Sequence, residues 1–491
     1  MLARVRIMRS PNQSESELAR LSSITGVEPT GENLPRFDWP LANEAEAFLR
    51  RRVESFLEQN DFAQRLAKRM REETATDFFE WIDHLTLSPA DEPVLRETGF
   101  VIDAGVETPR GEVVYEHPWA TLPRVLVGRG QKATPFVIAL RPESVADFIA
   151  RHNISGEPEG EPLSRYRRIT VAEEDGTRLD AVERCGYRGF VTAPLRVGEL
   201  EAMIKARELW QTRRRVFTDD AEGFSVLNQV LERLLRLVGR DLACQLFFAE
   251  EREYWESRNG AARVQRRRQD QLGLGWGNHD HHTFRCSRQH FVDVISFLAK
   301  LGFQKRERYY AGAEAGWGAQ ICEQSVAGIV VFADVDLMPE ETQIDFSSIR
   351  LSPAPRLGTV GLWTGLHGES ILEAGMHHLE ARFEFALFRE QMKGCGINTM
   401  KPFSDFSFLR QAFTEGERWP VRRERAERLL SAGLITASLF GQFTREGAIG
   451  SHLENLQRHG GFKGFNQKSV SAVIAATDPR KQHFEQEPVA A

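Results

Sequence analysis

The stretch from His281 to Asp336 changes its periodicity in an order that few folds can satisfy. HTFRC alternates as a strand does, with side chains two apart sharing a face. FVDVISFLAKLGF then repeats at spacings of three and four, which puts Phe291, Val294, Leu298 and Leu301 on one helical face and Gly302 near its C-terminal stop. QKRERYYAG, GAQICEQ and GIVVFADV return to strand character. The order is strand, helix and three strands, one βαβββ unit.

Residues 76–200 read as a related, more diverged unit beginning at His84. FFEWIDHLTLSP has the β-compatible and aromatic residues of a strand ending at Pro89, and GEVVYEHP and PRVLVG read as two more strands. The expected fold is α+β, with two βαβββ modules forming a curved mixed sheet. The segments are an N-terminal arm and helices (1–75), a first module (76–200), connecting helices (201–273), a second module (274–365) and a C-terminal helical region (366–491). Residues 1–40 contain SPNQSESE and PTGENLP and read as a loose arm, and a helical pattern begins at Asn43. EGFSVLNQVLERLLRLVG, residues 222–239, is the clearest amphipathic helix and is expected to pack between the modules. SILEAGMHHLEARFEFALFREQM and PVRRERAERLLSAG are the strongest helical segments near the C-terminus.

A chain of 491 residues exceeds one typical core, which agrees with more than one module. The net charge of −6 argues against general affinity for nucleic acid, because neutralising phosphates needs a basic excess. The runs Arg213–Arg215 and Arg266–Arg268 are flanked by acids and read as solvated helix faces. No apolar run is long enough to span a membrane. The five cysteines are scattered without a CxxC pair, so neither a zinc knuckle nor a disulfide framework is indicated, and a reducing cytoplasm fits.

The chemistry concentrates in GWGNHDHHTFRCSRQHF, residues 275–291, which holds His279, His281, His282 and His290. Strand alternation points His281, Thr283 and Arg285 one way and His282 the other. His281 can offer an imidazole nitrogen to a metal, and the planar fork of Arg285 suits a substrate carboxylate on the same side. The plainer alternative is a histidine-rich strand edge satisfied by hydrogen bonds. His84, at the start of the first module's opening strand, would by itself be a core histidine. Paired by position with His281, it becomes a second ligand. Two histidines and one carboxylate leave positions open for oxygen and substrate, as in non-haem Fe(II) oxygenases. Candidates for the carboxylate are Glu323, Asp334, Asp345 and Glu369, with Glu369 slightly ahead; VGLWTGLHGES reads as a strand, a turn and a helix, so Glu369 is either a ligand or an acid at a helix N-terminus. His377 and His378 fall in a helical pattern without HExxH and read as surface and core-edge residues. LGLGWGN lacks the following helix that a phosphate-cradling loop needs, and no GxSxG, Walker or Rossmann motif is present.

DHHTFR, FLAKLGF, YYAG, AQICEQS and VVFAD, in that order, resemble the second half of the 2-oxoadipate dioxygenase/decarboxylase family. These 2-hydroxyglutarate synthases belong to the vicinal-oxygen-chelate superfamily. DHLTL, YEHPWATLPRVLV, FSDFSFLRQ and LLSAGLITASLFGQFTREGAIGSHL extend the resemblance over residues 78–455. The resemblance implies vicinal-oxygen-chelate modules around Fe(2+), held by His84, His281 and a glutamate. It also implies a small 2-oxo acid and O2 as substrates, with a 2-hydroxy acid and CO2 as products. The family carries an arginine four residues after each histidine. Arg285 meets that pattern, but Ser88 stands at the first position, so one carboxylate anchor is missing and the substrate need not be 2-oxoadipate. The alternatives are a divalent-metal lyase or isomerase of the same fold, or a non-catalytic ligand-binding protein.

Overall fold

Phe48, Leu49, Val53 and Phe56 form the buried face of helix Asn43–Gln59, as their spacing predicts. Asn60 caps the next helix, Asp61–Thr74, by accepting the Ala63 amide, and Ala75 ends it in the left-handed region. The computed structural model describes residues 39–129, 135–313, 315–401, 404–465 and 477–480. The arm read from residues 1–38 lies outside them.

These two helices lead into a first sheet of seven strands. In chain order the strands are β1 (Ile82–Leu87), β2 (Val101–Ile102), β3 (Val113–Glu116), β4 (Arg124–Val127), β5 (Phe136–Leu140), β6 (Tyr166–Glu174) and β7 (Thr177–Arg184). Their order across the sheet is β2-β3-β4-β1-β5-β7-β6. Strand β1, helix Glu92–Glu97 and β2 to β4 make a βαβββ unit in which β1 runs parallel to β4. Strand β5, helix Val145–His152, β6 and β7 wind the same way with one strand fewer, β5 running parallel to β7. The two units join through the antiparallel pair β1 and β5.

The second sheet repeats this plan. Its strands are β8 (His279–Cys286), β9 (Gln304–Tyr310), β10 (Trp317–Gln324), β11 (Ile329–Asp336), β12 (His378–Arg382), β13 (Ser404–Phe406), β14 (Leu409–Phe413), β15 (Glu417–Trp419) and β16 (Ala448–Arg458). The order is β13-β14-β16-β12-β8-β11-β10-β9, with β15 paired to β16. Strand β8, helix Phe291–Lys300 and β9 to β11 form the unit read from the sequence, with β8 parallel to β11. Strand β12, helix Phe385–Gly394, β13, β14 and β16 form its partner, and the units join through antiparallel β8 and β12. The α+β class holds, as two mixed sheets, each a pair of βαβββ-like units.

The partner unit corrects the helical reading of residues 366–491. SILEAGMHHLEARFEFALFREQM is not one helix: Gly375, at φ 80°, breaks it, and His378–Arg382 is a strand. Strand β12 is buried on both faces, so its alternation is polar against apolar within the interior and cannot be told from helical spacing over five residues. VGLWTGLHGES is likewise corrected. Thr359–His367 is a helix, buried almost all round, which removes the periodic contrast that would have marked it.

On the back of the second sheet, Phe224, Leu227, Leu231 and Leu234 of helix Asp220–Val238 join Phe247, Phe248, Phe284, Cys286, Val331 and Ala333 in one core. This helix packs against helices Glu199–Gln211 and Arg240–Ser257. No helix among the described residues is long and apolar enough to cross a membrane.

Candidate metal centre

Strand alternation sends His282 and Phe284 of β8 into that rear core, while His281, Thr283 and Arg285 line a cavity of about 60 Å³ on the opposite face. Strand pairing supplies the rest of the site. Glu380 of β12 lies opposite His281, and His378 opposite Thr283. Parallel pairing to β16 then sets His452 beside His378 and Glu454 beside Glu380. Two rows cross three adjacent strands: His281–Glu380–Glu454 and Thr283–His378–His452.

One donor atom from each of His281, His378, Glu380 and Glu454 lies within 4.8 Å of the others. His281 Nε2 is 2.5 Å from Glu380 Oε2, and His378 Nε2 is 3.0 Å from Glu454 Oε2. Yet the buried Glu380 Oε2 has no aligned hydrogen-bond partner among the described residues. At metal–ligand distances of ~2.0–2.2 Å, neighbouring ligands stand ~3 Å apart and opposed ones ~4 Å, so the four atoms fit one cation after a small closure.

The electrostatics agree. Burial and the adjacent Glu380 raise the Glu454 carboxyl well above the usual range, and Gln411 donates to both carboxylates at 3.1 and 3.0 Å. Burial pulls the His281 imidazole down, but Glu380 and Asp280 outweigh it, and its pKa lies above the ordinary value. A buried carboxyl raised in this way, as Glu454 is beside Glu380, favours its protonated form unless a cation is bound. Asp280, held by Arg382 at 3.1 Å and Arg458 at 3.1 Å, faces His281 Nδ1 at 3.3 Å, the outer contact that orients a ligating imidazole.

Arg285 is the cavity's own cation and is 1% exposed. Its backbone amide donates to Ser370 Oγ, but its buried Nε and Nη1 have no hydrogen-bond partner among the described residues. Asp334 stands across from it on β11, and burial pushes that carboxyl up to about 7 despite the guanidinium. Aromatic side chains, Tyr309, Trp317, Phe332 and Phe413 among them, form much of the remaining wall.

The expected trio of His84, His281 and Glu369 is not brought together. His84 lies on β1, in the other sheet, because β1 pairs with β5 and β8 with β12, never with each other. Glu369 precedes the turn Ser370–Ala374 and accepts the Ser287 amide at 3.1 and 3.2 Å, outside the four-residue group. Asp345 is tied to Ser347, Ser348 and Lys305, and Glu323 to Lys463. Asp334 lines the cavity but is not in the group. Ser88 is exposed and caps the turn Pro89–Asp91.

His378, Glu380 and Glu454 were missed. A signal for them exists: His-Leu-Glu occurs twice, at residues 378–380 and 452–454, and the two copies pair in register. The histidine-to-arginine spacing of four also recurs, at His281/Arg285 and His378/Arg382.

Glu369 has a measurable consequence of its own. Burial raises its carboxyl to about 7 from the ordinary 4.5. The native state thus binds more protons than the unfolded chain between those values, so its contribution to stability falls as pH rises through that window. Glu369→Gln removes the penalty. Urea unfolding is expected to show the variant more stable than the parent at pH 8, by on the order of 2–3 kcal/mol, and equal near pH 4.5. Its metal content is expected to match the parent's.

No family model matches the chain, and no curated protein does. Solved structures that it resembles include a mutant of 4-hydroxymandelate synthase from Streptomyces coelicolor, at 13% identity, 82% of this chain, 99% of that chain and TM-score 0.27. Methylmalonyl-CoA epimerase from Mycobacterium tuberculosis matches at 9% identity, over 37% and 88%, with TM-score 0.22. The uncharacterized protein YdcJ from Shigella flexneri, which includes domain DUF1338, matches at 12% identity, over 52% and 73%, with TM-score 0.23.

Proposed function

We propose that this protein is an Fe(II)-dependent oxygenase that converts a small 2-oxo acid to a 2-hydroxy acid with loss of CO2. The observation that supports this most directly is Arg285, a buried guanidinium with two unpaired N–H groups on the same strand face as His281. A buried charge without a partner is costly, and a substrate carboxylate would complete it bidentately. Bound Fe(2+) would supply the reactivity toward O2 that no side chain has. The chain's own residues do the rest. His281, His378 and one or both of Glu380 and Glu454 hold the ion. Asp280 orients His281, the aromatic wall excludes water, and Asp334 holds a proton beside the anchor near neutral pH.

The second carboxylate favours one competing reading. An oxygenase would need the bound ion to keep room for both a 2-oxo acid and O2, which three protein donors would leave more readily than four. If Glu380 and Glu454 both ligate, a divalent-metal isomerase or lyase, needing no room for O2, fits better. Metal analysis of anaerobically purified protein, with oxygen uptake against a panel of 2-oxo acids, separates the two. Iron with substrate-dependent uptake supports the oxygenase; another divalent ion without uptake supports the isomerase or lyase; no bound metal sinks both.

A further inference from the structure

The first sheet encloses a cavity of its own, about 180 Å³ against about 60 Å³ at the candidate metal centre. Register relates the two. In the first sheet the strands corresponding to β8, β12 and β16 are β1, β5 and β7. Their rows read His84–Ala139–Asp180 and Thr86–Val137–Arg178. Ala139 and Val137 therefore stand where Glu380 and His378 supply donors, so this face lacks the ligand set for an ion. Arg178 stands where the second sheet has His452, which puts a fixed positive charge on the cavity wall.

The polar groups facing this space are built rather than incidental. Arg184 grips Asp83 through Nε at 2.6 Å and Nη2 at 2.8 Å, two buried side chains, and keeps that carboxylate ionised. His84 Nδ1 lies 2.7 Å from Asp83 and donates to it, so Nε2 carries the lone pair. His84 is 5% exposed and lines the cavity, and its Nε2 has no hydrogen-bond partner among the described residues. Thr86 and Tyr166 are also buried and line this space. Arg178 Nε lies 3.1 Å from Asp180 without the alignment of a hydrogen bond and is buried unsatisfied. Leu126, Val137 and Phe190 supply apolar wall.

We infer that the first-sheet cavity is a metal-free binding site for a small hydroxylated carboxylic acid, whose hydroxyl donates to His84 Nε2 and whose carboxylate accepts from Arg178. A lone-pair acceptor and a guanidinium two strands apart, ~10 Å at the backbone, require a ligand with a donor at one end and an anion at the other. The volume has room for on the order of ten non-hydrogen atoms. The inference does not rest on the reading of the metal centre.

Calorimetric titration of the full chain tests it, with 4-hydroxybenzoate and 6-hydroxyhexanoate as probes and benzoate and hexanoate as their deoxy counterparts. The work is done in an Arg285→Met background, so that the second cavity does not contribute. At least one hydroxy acid is expected to bind, with its deoxy partner at least about tenfold weaker. Arg178→Met is expected to weaken binding at least about tenfold with metal content unchanged. His84→Leu is expected to equalise the hydroxy and deoxy acids. No binding by any probe, or unaltered binding in folded Arg178→Met, would overturn the inference. So would a metal ion that survives His378→Ala and is lost in His84→Leu.

Discussion

His378→Ala is expected to empty the candidate centre, lowering metal affinity by more than about a hundredfold, whereas His84→Ala leaves metal content unchanged. The imidazole removed is one of four buried donors within 4.8 Å of one another, and β12 offers no second histidine on that face to replace it. Loss of even an outer contact to a ligand costs ~10–100-fold, so loss of a ligand costs more. The variant also leaves Glu454 without its 3.0 Å contact to Nε2 beside an already crowded Glu380. Metal bound to the folded state stabilises it by mass action, so the unfolding temperature of the parent should respond to added metal and that of the variant should not. Metal analysis after chelator competition reads the affinity directly. The opposite pattern, retention in His378→Ala and loss in His84→Ala, would return the centre to the first sheet.

Arg285→Met should separate catalysis from stability. The guanidinium is surrounded by protein, and its pKa is pulled down to about 10 by burial, against which Asp334, Asp336 and Asp478 act. Two charge-assisted hydrogen bonds to a substrate carboxylate are worth ~3–5 kcal/mol, so kcat/KM is expected to fall by about two to four orders of magnitude. Metal content should not change, because Arg285 is not a donor. The ligand-free variant should be no less stable than the parent, since methionine fills the volume without a buried charge to desolvate. A Lys at this position would keep the charge but lose the fork, and should recover only a small part of the activity. Activity equal to the parent's in Arg285→Met would remove the anchor from the reading.

The parts legible in the sequence were those set by local chemistry. The period changes between His281 and Asp336 read out a βαβββ unit because Gly302, Gly312, Gly316 and Gly328, all at positive φ, mark the breaks between its helix and last three strands. The alternation of β8 separated His281 and Arg285 from His282 by steric necessity alone. Even the likeness between His84 and His281 has a structural counterpart. Each follows an aspartate, and that aspartate is held by an arginine from the last strand of the paired unit, Arg184 in one sheet and Arg458 in the other. Strand β12 was illegible because its five residues are nearly all buried and show too short a polar–apolar contrast to tell a strand from a helix.

Which residues come within reach of one ion was decided by pairing. His84 and His281 begin similar strands, but hydrogen bonding joins β1 to β5 and β8 to β12, and the four clustered donors lie in two neighbouring rows across β8, β12 and β16. The partners of His281 come from almost one hundred residues further on for Glu380 and from the far end of the chain for Glu454. No local spacing encodes such a register. It follows from the tertiary fold, because here neighbouring strands ~4.8 Å apart bring residues so distant in sequence to within reach of one another.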